Sequence, residues 1–261
     1  MAYEGLIAET VRIWGHDADE IDAYLARPLG VSDPLPGVVL LHHAPGYDEW
    51  AKEITRRFAH NGYLALLPDL HYRYGPGTVD EKADKVRAAG GVPDDTTLDD
   101  VSGAMRYLRA LPQCNGKIGL IGFCAGGRQT YMVAGRLSGI DAAVDCWGGR
   151  VVARPDQRPA TGAKAPIEYT SGISCPILGI FGADDRSPSP EDVAVQEAEL
   201  KKYGIPFEHH SYPGAGHSFW TWDRPSYRAE QFVDSWEKTL AFFGKHLATG
   251  APASAAAAGA R

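Results

Sequence analysis

The chain has 261 residues, of which 44% are hydrophobic, and a formal net charge of −7 at pH 7. This length and composition suffice for a sizeable core, and we expect a single α/β domain over residues 1–247. The acidic balance, with no basic cluster, argues against a nucleic-acid partner. No leader-type start and no run of about 18 apolar residues occurs, so we expect a cytoplasmic protein without membrane contact, a monomer or small homo-oligomer.

The cysteine content does not indicate a disulfide framework or a metal site. Four cysteines are too few and too scattered for such a framework in a chain of this length, and no C-x-x-C pair is present. We therefore expect reduced thiols and no bound metal. The last residues, 248–261, read ATGAPASAAAAGAR and cannot bury enough apolar surface to become ordered, so we expect a disordered tail.

The first thirty residues predict a β-hairpin, because two short strand patterns, 6–14 and 20–28, flank the turn-like segment GHDAD. Continuous apolar runs follow. Runs of this kind are typical of strands that are buried on both faces of a parallel sheet. They cover residues 37–43, 62–70, 117–124, 142–149 and 175–182.

Helical patterns lie between and after these runs. They cover residues 48–61, 97–112, 126–137, 190–204 and 226–247. The alternation of strand and helix predicts a three-layer α/β sandwich with a mostly parallel central sheet. The longest irregular stretch, 150–174, has the Pro, Gly and Arg content of a surface excursion near the carboxyl ends of the strands. It is either a lid or an ordinary loop.

The segment GFCAGG, residues 122–127, carries the first chemical signal. Cys124 ends an apolar strand and a helical pattern follows at once, so its side chain is predicted to project above the sheet at a sharp turn whose neighbours must be small. The helix N-terminus lowers a thiol pKa and favours the nucleophilic thiolate. The alternative is a cysteine that packs beside the turn as a small apolar residue.

Two further segments favour the nucleophile. GIFGADD places acidic residues just after an apolar strand, and YPGAGHSF places His217 on a glycine-rich loop. The chain order of nucleophile, acid and histidine is the order in which a catalytic triad is laid on successive strand ends of a hydrolase sheet.

The chain resembles the dienelactone hydrolase family of the α/β-hydrolase fold. The resemblance runs from GHDADEIDAYLARP to the closing GKHL, and it is carried by GVVLLHHAPG, GYLALLPDLHYRYGPGT, IGLIGFCAGG, PILGIFGADDRSPSPEDV and YPGAGHSF. It implies a cofactor-independent hydrolase of a small carboxylic ester or lactone. Cys124 resembles the family nucleophile, His217 the base and Asp185 the acid, with Asp184 as the alternative.

The resemblance also implies a mechanism. The Cys124 thiolate attacks the substrate carbonyl, and a thioester acyl-enzyme forms and is then cleaved by water. The backbone N–H groups of Ala44 and Ala125 are the candidates for the oxyanion hole.

His43 is the first departure from the family pattern. Family members with the best-known lactone activity carry a glutamate at this position, and an imidazole cannot copy its charge. His43 either pairs with the Cys124 thiolate as an imidazolium, or hydrogen-bonds to substrate, or packs.

The substrate-binding residues are the second departure. Arg73 falls where the family places an arginine that binds the substrate carboxylate, but it is otherwise an ordinary surface arginine. Trp220 and Thr221 stand where a second arginine is expected, which weakens the case for a carboxylated substrate. Trp220 and Tyr47 are instead predicted to line an aromatic pocket with Trp50 and Trp222, and the alternative of packing is favoured for Trp222 over Trp220.

Two alternatives to ester or lactone hydrolysis stay open. The same scaffold could bind a ligand or respond to oxidation without turnover, because the change at His43 could leave a reactive thiol. The other alternative keeps the triad and takes a thioester or another acyl substrate.

Overall fold

The structure is a computed structural model, and it describes residues 3–152 and 164–248. Within these residues an eight-stranded sheet has the order β1-β2-β4-β3-β5-β6-β7-β8. The strands are β1 (Leu6–Trp14), β2 (Glu20–Pro28), β3 (Leu35–Leu41), β4 (Leu64–Pro68), β5 (Cys114–Phe123), β6 (Ala142–Cys146), β7 (Ile177–Gly182) and β8 (Phe207–Tyr212).

The predicted hairpin is confirmed. Strands β1 and β2 are antiparallel, with Trp14 opposite Glu20, and β2 is also antiparallel to β4. The other neighbouring pairs, from β4 through β3 and β5 to β8, are parallel. All residues of β4, β6 and β7 are buried, which explains why these strands read as continuous apolar runs.

Six α-helices connect and cover the strands in the described part of the chain. They are α1 (Glu49–His60), α2 (Val79–Ala88), α3 (Asp94–Ala110), α4 (Ala125–Arg136), α5 (Pro190–Lys202) and α6 (Ala229–Leu247). The sequence patterns predicted all of them except α2. Its signal was available, because the Thr78 side chain accepts from the Glu81 N–H and the Glu81 side chain accepts from the Thr78 N–H, the reciprocal cap that T-x-x-E encodes.

Two apolar clusters form the core, one on each face of the sheet. The first joins α3 and α4 to one face, with Leu108 and Met132 at the contact. The second joins α1 and α6 to the opposite face, with Phe58 and Phe243 at the contact. The three-layer sandwich with a mostly parallel sheet is therefore confirmed, and the carboxyl ends of β3, β5 and β7 meet at one edge.

Two predicted irregular segments lie partly outside the described residues. Residues 153–163 of the 150–174 stretch and residues 249–261 of the predicted tail are not described. Beyond the first gap, Pro166–Gly172 forms a 3₁₀ helix that packs on α4. In the described part of the chain, no helix is both long enough and apolar enough to cross a bilayer.

Candidate active site

The turn between β5 and α4 places Cys124 in a strained conformation. Strand β5 ends at Phe123 and α4 begins at Ala125, and Cys124 between them has φ 55° and ψ −112°. An L-residue in this region of backbone space costs about 1–3 kcal/mol, so the surrounding fold must hold it. The Cys124 N–H donates to the Cys146 carbonyl of the neighbouring strand at 3.0 Å, which fixes the turn to the sheet.

Glycines beside Cys124 allow the close approach of strand and helix. A Cβ at Gly122 would lie 2.0 Å from the Gly126 carbonyl oxygen, and a Cβ at Gly126 would lie 2.1 Å from that of Leu41. Both contacts are with backbone atoms, so neither can be relieved by a side-chain rotation. The sequence-based interpretation of the small residues in GFCAGG is consistent with this geometry.

The thiol of Cys124 is half-buried and surrounded by hydrogen-bond donors. Burial raises its pKa, but His217 and the backbone N–H groups of Ala125 and Ala44 hydrogen-bond to the sulfur, and together they lower the pKa below its ordinary value. Helix α4 begins at this residue and adds the positive potential of its N-terminus. The site therefore favours the thiolate.

His217 lies between the thiol and a buried carboxylate. Its Nδ1 is 2.8 Å from Oδ2 of Asp185, and the Asp185 side chain is held by the Ser187 N–H, which donates to Oδ1 at 2.9 Å. Burial lowers the pKa of His217, but hydrogen bonds to Asp185 and Cys124 outweigh it and raise the pKa to about 10. The paired carboxylate belongs to Asp185, while Asp184 is exposed.

The loop after β3 brings Ala44 to the thiol. The Gly46 N–H donates to the His43 carbonyl at 2.9 Å and closes a tight turn around Ala44. Gly46 has a φ of 112°, a left-handed value that favours glycine. This turn directs the Ala44 N–H to the Cys124 sulfur, so the two residues expected to form an oxyanion hole contact the same atom.

His43 has a partner that the sequence did not suggest. Its Nε2 lies 2.6 Å from Oδ2 of Asp48, and its ring stacks on Trp50 at 4.8 Å between centroids. The imidazole is almost fully buried. His43 is thus held by Asp48 and Trp50, and its expected role towards a substrate stays a prediction.

Asp48 is the functional-site neighbour that sequence reasoning missed. Its Oδ1 accepts from the Ala51 N–H at 2.8 Å and caps α1, while its other oxygen binds His43. Burial raises the pKa of Asp48, but the hydrogen bond from His43, the neighbouring imidazoles and the Ala51 N–H together outweigh it, so the pKa is lowered. An aspartate directly before a helical pattern is an N-cap signal and could have been found, although its bond to His43 could not.

Arg73 is engaged by structural partners. Its Nη1 and Nη2 donate to the two carboxylate oxygens of the buried Asp100 at 2.8 and 3.0 Å, and Nε donates to Asp19 at 2.8 Å. This fork ties the segment after β4 to α3 and the N-terminal hairpin. In this structure Arg73 is held by protein carboxylates, and its expected role in binding a substrate carboxylate stays a prediction.

The aromatic residues also differ from the expected pocket. Trp220 is fully buried, and its Nε1 donates to Ser235 at 2.7 Å, so it belongs to the core and not to a pocket wall. Trp222, for which packing was expected, is 36% exposed and lies 5.9 Å from Trp50 between ring centroids. Tyr47 is half-buried, and its ring face is 4.3 Å from Nζ of Lys52.

A mostly parallel sheet with a strained strand-to-helix turn at its carboxyl edge and a histidine on the last strand's loop defines an α/β-hydrolase. A family model, "Dienelactone hydrolase family", matches residues 21–247. The chain belongs to the dienelactone hydrolase family, and it is a hydrolase.

Individual relatives cover most of the chain. A protein of Escherichia coli strain K12, provisionally named carboxymethylenebutenolidase, is 32% identical over 87% of this chain and 83% of its own length. A Bradyrhizobium protein, provisionally named 2-oxo-3-(5-oxofuran-2-ylidene)propanoate lactonase, is 30% identical over 95% of this chain and 98% of its own length. The crystal structure of a provisionally named dienelactone hydrolase from Klebsiella pneumoniae superposes with a TM-score of 0.83 at 28% identity, covering 93% of this chain and all of that one.

Proposed function

We propose that this hydrolase cleaves a small carboxylic ester or lactone, with Cys124 as nucleophile, His217 as base and Asp185 as the acid that orients the base. One observation carries the proposal. The sulfur of Cys124 accepts hydrogen bonds from His217 and from two backbone N–H groups, and His217 is in turn 2.8 Å from Asp185. Relatives whose names denote lactone hydrolases support the substrate class.

The first half-reaction forms a thioester. The Cys124 thiolate attacks the substrate carbonyl carbon, and the carbonyl oxygen becomes an oxyanion. The N–H groups of Ala44 and Ala125, which hydrogen-bond to the sulfur in the resting site, would donate to this oxyanion. As the intermediate collapses, the C–O bond breaks and protonated His217 gives its proton to the leaving oxygen.

The second half-reaction regenerates the thiolate. His217 takes a proton from water, and the resulting hydroxide attacks the thioester carbonyl. When the C–S bond breaks, the sulfur leaves as thiolate and His217 remains protonated beside it, so the resting pair is restored. Asp185 keeps Nδ1 of the imidazole bound throughout, which leaves Nε2 for the proton transfers. Every step uses protein groups and water, so the proposed mechanism requires no cofactor.

The test is steady-state hydrolysis of a panel of small lactones and aryl esters by the wild type and by Cys124→Ala at equal folded concentration. We expect turnover of at least one substrate by the wild type and a loss of at least about 10³-fold in the variant. Mass spectrometry of quenched reactions should show an acyl adduct on the peptide that contains Cys124. Turnover that persists in Cys124→Ala would contradict the proposed nucleophile.

A further inference from the structure

Asp145 is a buried acidic residue that lies beside the turn of Cys124 and has no part in the proposed triad. It is on β6, where it is opposite Gly122 of β5 and Gly179 of β7. The carbonyl oxygen of the next residue, Cys146, accepts from the Cys124 N–H at 3.0 Å. Asp145 is therefore one residue away from the hydrogen bond that fixes the strained turn to the sheet.

The carboxyl group of Asp145 lies between the loop after β6 and the first turn of α4. Its Oδ1 accepts from the Gly148 N–H at 2.8 Å. A Cβ at Gly148 would lie 2.3 Å from this oxygen, and a Cβ at Gly127, in the first turn of α4, would lie 2.4 Å from it. Because both positions are glycine, the carboxyl group can contact the helix that begins directly after Cys124.

The second oxygen of Asp145 favours a neutral carboxyl group. Oδ2 is buried and has no hydrogen-bond partner in the described part of the chain. The same is true of Oγ1 of Thr130 in α4, which would lie 2.4 Å from a Cβ at Gly122, the strand neighbour of Asp145. Burying a carboxylate whose second oxygen lacks a donor is costly, whereas the neutral acid carries no charge. Burial accordingly raises the pKa of Asp145 to about 7.

The surroundings of Asp145 supply no cation to compensate a negative charge. The charged and titratable groups on the elements around it are Arg128 and Tyr131 of α4, Cys146 of β6 and Asp185 of the loop after β7. Arg128 donates to Asp94 at 3.3 Å, and Asp185 is paired with His217. A negative charge at Asp145 raises the pKa of both Tyr131 and Cys146. Among these described groups, none stabilises the ionised form of Asp145.

We propose that Asp145 is a positioning residue for the nucleophile: its neutral carboxyl group holds the first turn of α4, and with it the Ala125 N–H, against the Cys124 sulfur. Asp145 acts through the helix and needs no contact with substrate. Loss of its proton places a second negative charge beside the N-terminus of α4, where the Cys124 thiolate already lies, so the thiolate is disfavoured. The inference rests on the proposed role of Cys124.

The first experiment measures the thiolate without turnover. The rate of iodoacetamide modification of Cys124, assigned by peptide mapping, is compared at pH 6 and pH 8 in the wild type, Asp145→Asn and Asp145→Ala. Asp145→Asn keeps the acceptor for Gly148 and stays neutral. We expect it to react within about twofold of the wild type at pH 6 and at least about threefold faster at pH 8, where only the wild type carries the added charge.

Asp145→Ala removes both the charge and the contact with α4. It should react at least about threefold more slowly than Asp145→Asn at both pH values, because the Ala125 N–H is no longer held against the sulfur. In ester turnover the loss should appear in kcat, with KM within about twofold of the wild type, since Asp145 does not bind substrate.

Asp141→Asn is the matched control. Asp141 directly precedes β6, at the end of the strand away from Cys124, and its Oδ2 also accepts from a backbone N–H of β5, that of Ile118 at 2.9 Å. The variant should modify Cys124 at wild-type rates at both pH values. Melting curves establish that each variant is folded.

The outcomes separate this inference from the proposed function. A ratio of Asp145→Asn to wild-type rates that is the same at pH 6 and pH 8 would overturn the role of Asp145, even if Cys124→Ala abolishes turnover. Asp145→Asn that reacts as slowly as Asp145→Ala at pH 6 would overturn it as well. If Asp145→Ala fails to fold, the pH dependence of the first ratio decides alone. Turnover that persists in Cys124→Ala would refute the nucleophile, and a pH-dependent ratio would then still show that Asp145 controls the thiol.

Discussion

His217 and Asp185, which lie 32 residues apart in sequence, meet at 2.8 Å between Nδ1 and Oδ2. The carboxylate is 6% exposed, and its second oxygen accepts from the Ser187 N–H. A buried carboxylate fixed from two sides holds the imidazole in one orientation, which a surface carboxylate could not do. Of the two adjacent aspartates, Asp185 is the one that pairs with His217, while Asp184 is exposed.

Asp185→Asn should therefore reduce turnover by about 10³–10⁴-fold, since an amide presents the imidazole with the wrong tautomer. Asp184→Asn, one residue away and exposed, is the matched control and should stay within about threefold of the wild type. The measurement is kcat/KM on the best ester of the panel, with melting curves to establish equal folding. A larger loss in Asp184→Asn would refute the assignment of the acid.

The rate at which Cys124 is alkylated should follow the fraction of Cys124 that is present as thiolate. The hydrogen bond between the two side chains lowers the pKa of Cys124 and raises that of His217 to about 10, so it favours a thiolate beside an imidazolium. The rate of iodoacetamide modification should thus titrate below pH 9, the ordinary thiol value. His217→Ala removes the principal hydrogen-bond donor to the Cys124 sulfur, so burial should then raise the pKa of the thiol. The rate of Cys124 modification at pH 7 should therefore fall at least tenfold.

Cys124→Ala measures the modification of the other cysteines, which is needed because Cys114 is also partly accessible. Peptide mapping assigns the modified residue. An unchanged pH profile in His217→Ala would show that the imidazole does not stabilise the thiolate.

His43→Glu would introduce the carboxylate expected from the family resemblance, yet it should make the protein less stable. The new carboxylate would face Asp48, whose Oδ2 is 2.6 Å from Nε2 of His43, in a buried position. Two like charges at this separation should lower the free energy of unfolding by about 2 kcal/mol or more. Denaturant unfolding at pH 8 checks this value.

His43→Gln is the control for the preceding variant, since its amide can still donate to Asp48. It should be destabilised less than His43→Glu. Equal stability of the two variants at pH 8 would show that Asp48 does not disfavour a negative charge at position 43.

Asp145 should make the protein less stable as pH rises. This side chain of β6 is buried. Its Oδ1 accepts from the Gly148 N–H at 2.8 Å, its Oδ2 has no hydrogen-bond partner in the described part of the chain, and burial raises its pKa to about 7. The unfolded chain loses the proton near pH 4 and the folded chain near pH 7. Ionisation therefore favours unfolding, and stability falls across this interval by up to about 4 kcal/mol.

Asp145→Asn removes that titration and keeps the acceptor for Gly148. The variant should be more stable than the wild type above pH 7, and its free energy of unfolding should vary less between pH 4 and pH 7. Chemical denaturation at several pH values is the measurement. A wild-type stability that rises with pH over this range, with no difference in the variant, would contradict the protonated state.

Gly126→Ala should disrupt the turn that carries Cys124. The added Cβ would lie 2.1 Å from the Leu41 carbonyl oxygen and 2.7 Å from that of His42, so β3 and α4 must separate. We expect a stability loss of several kcal/mol and a loss of activity in the fraction that folds. Gly244→Ala is the control, because a Cβ there meets no atom within 4 Å, and it should stabilise helix α6 slightly.

Local patterns along the chain determined most of the fold. The apolar runs predicted the buried strands, and the glycines around Cys124 predicted a strand-to-helix turn, because both features depend on neighbours within a few residues. The chain order of Cys124, the aspartates and His217 followed from the same patterns. The T-x-x-E cap of α2 was also encoded locally and was overlooked.

Only the tertiary structure decided which side chains meet. Asp184 and Asp185 lie on an irregular loop, where no helical or strand repeat predicts the direction of a side chain. Only the packing of the folded chain places Asp185 against His217. Arg73 binds Asp100, which is 27 residues away, and His43 binds Asp48. Folding brings these charged groups together, and no local pattern specifies either pair. Burying a charge without a partner is costly, and the partner is often distant in sequence. For that reason local sequence patterns determined the scaffold, whereas the contacts of the site were determined only by the tertiary structure.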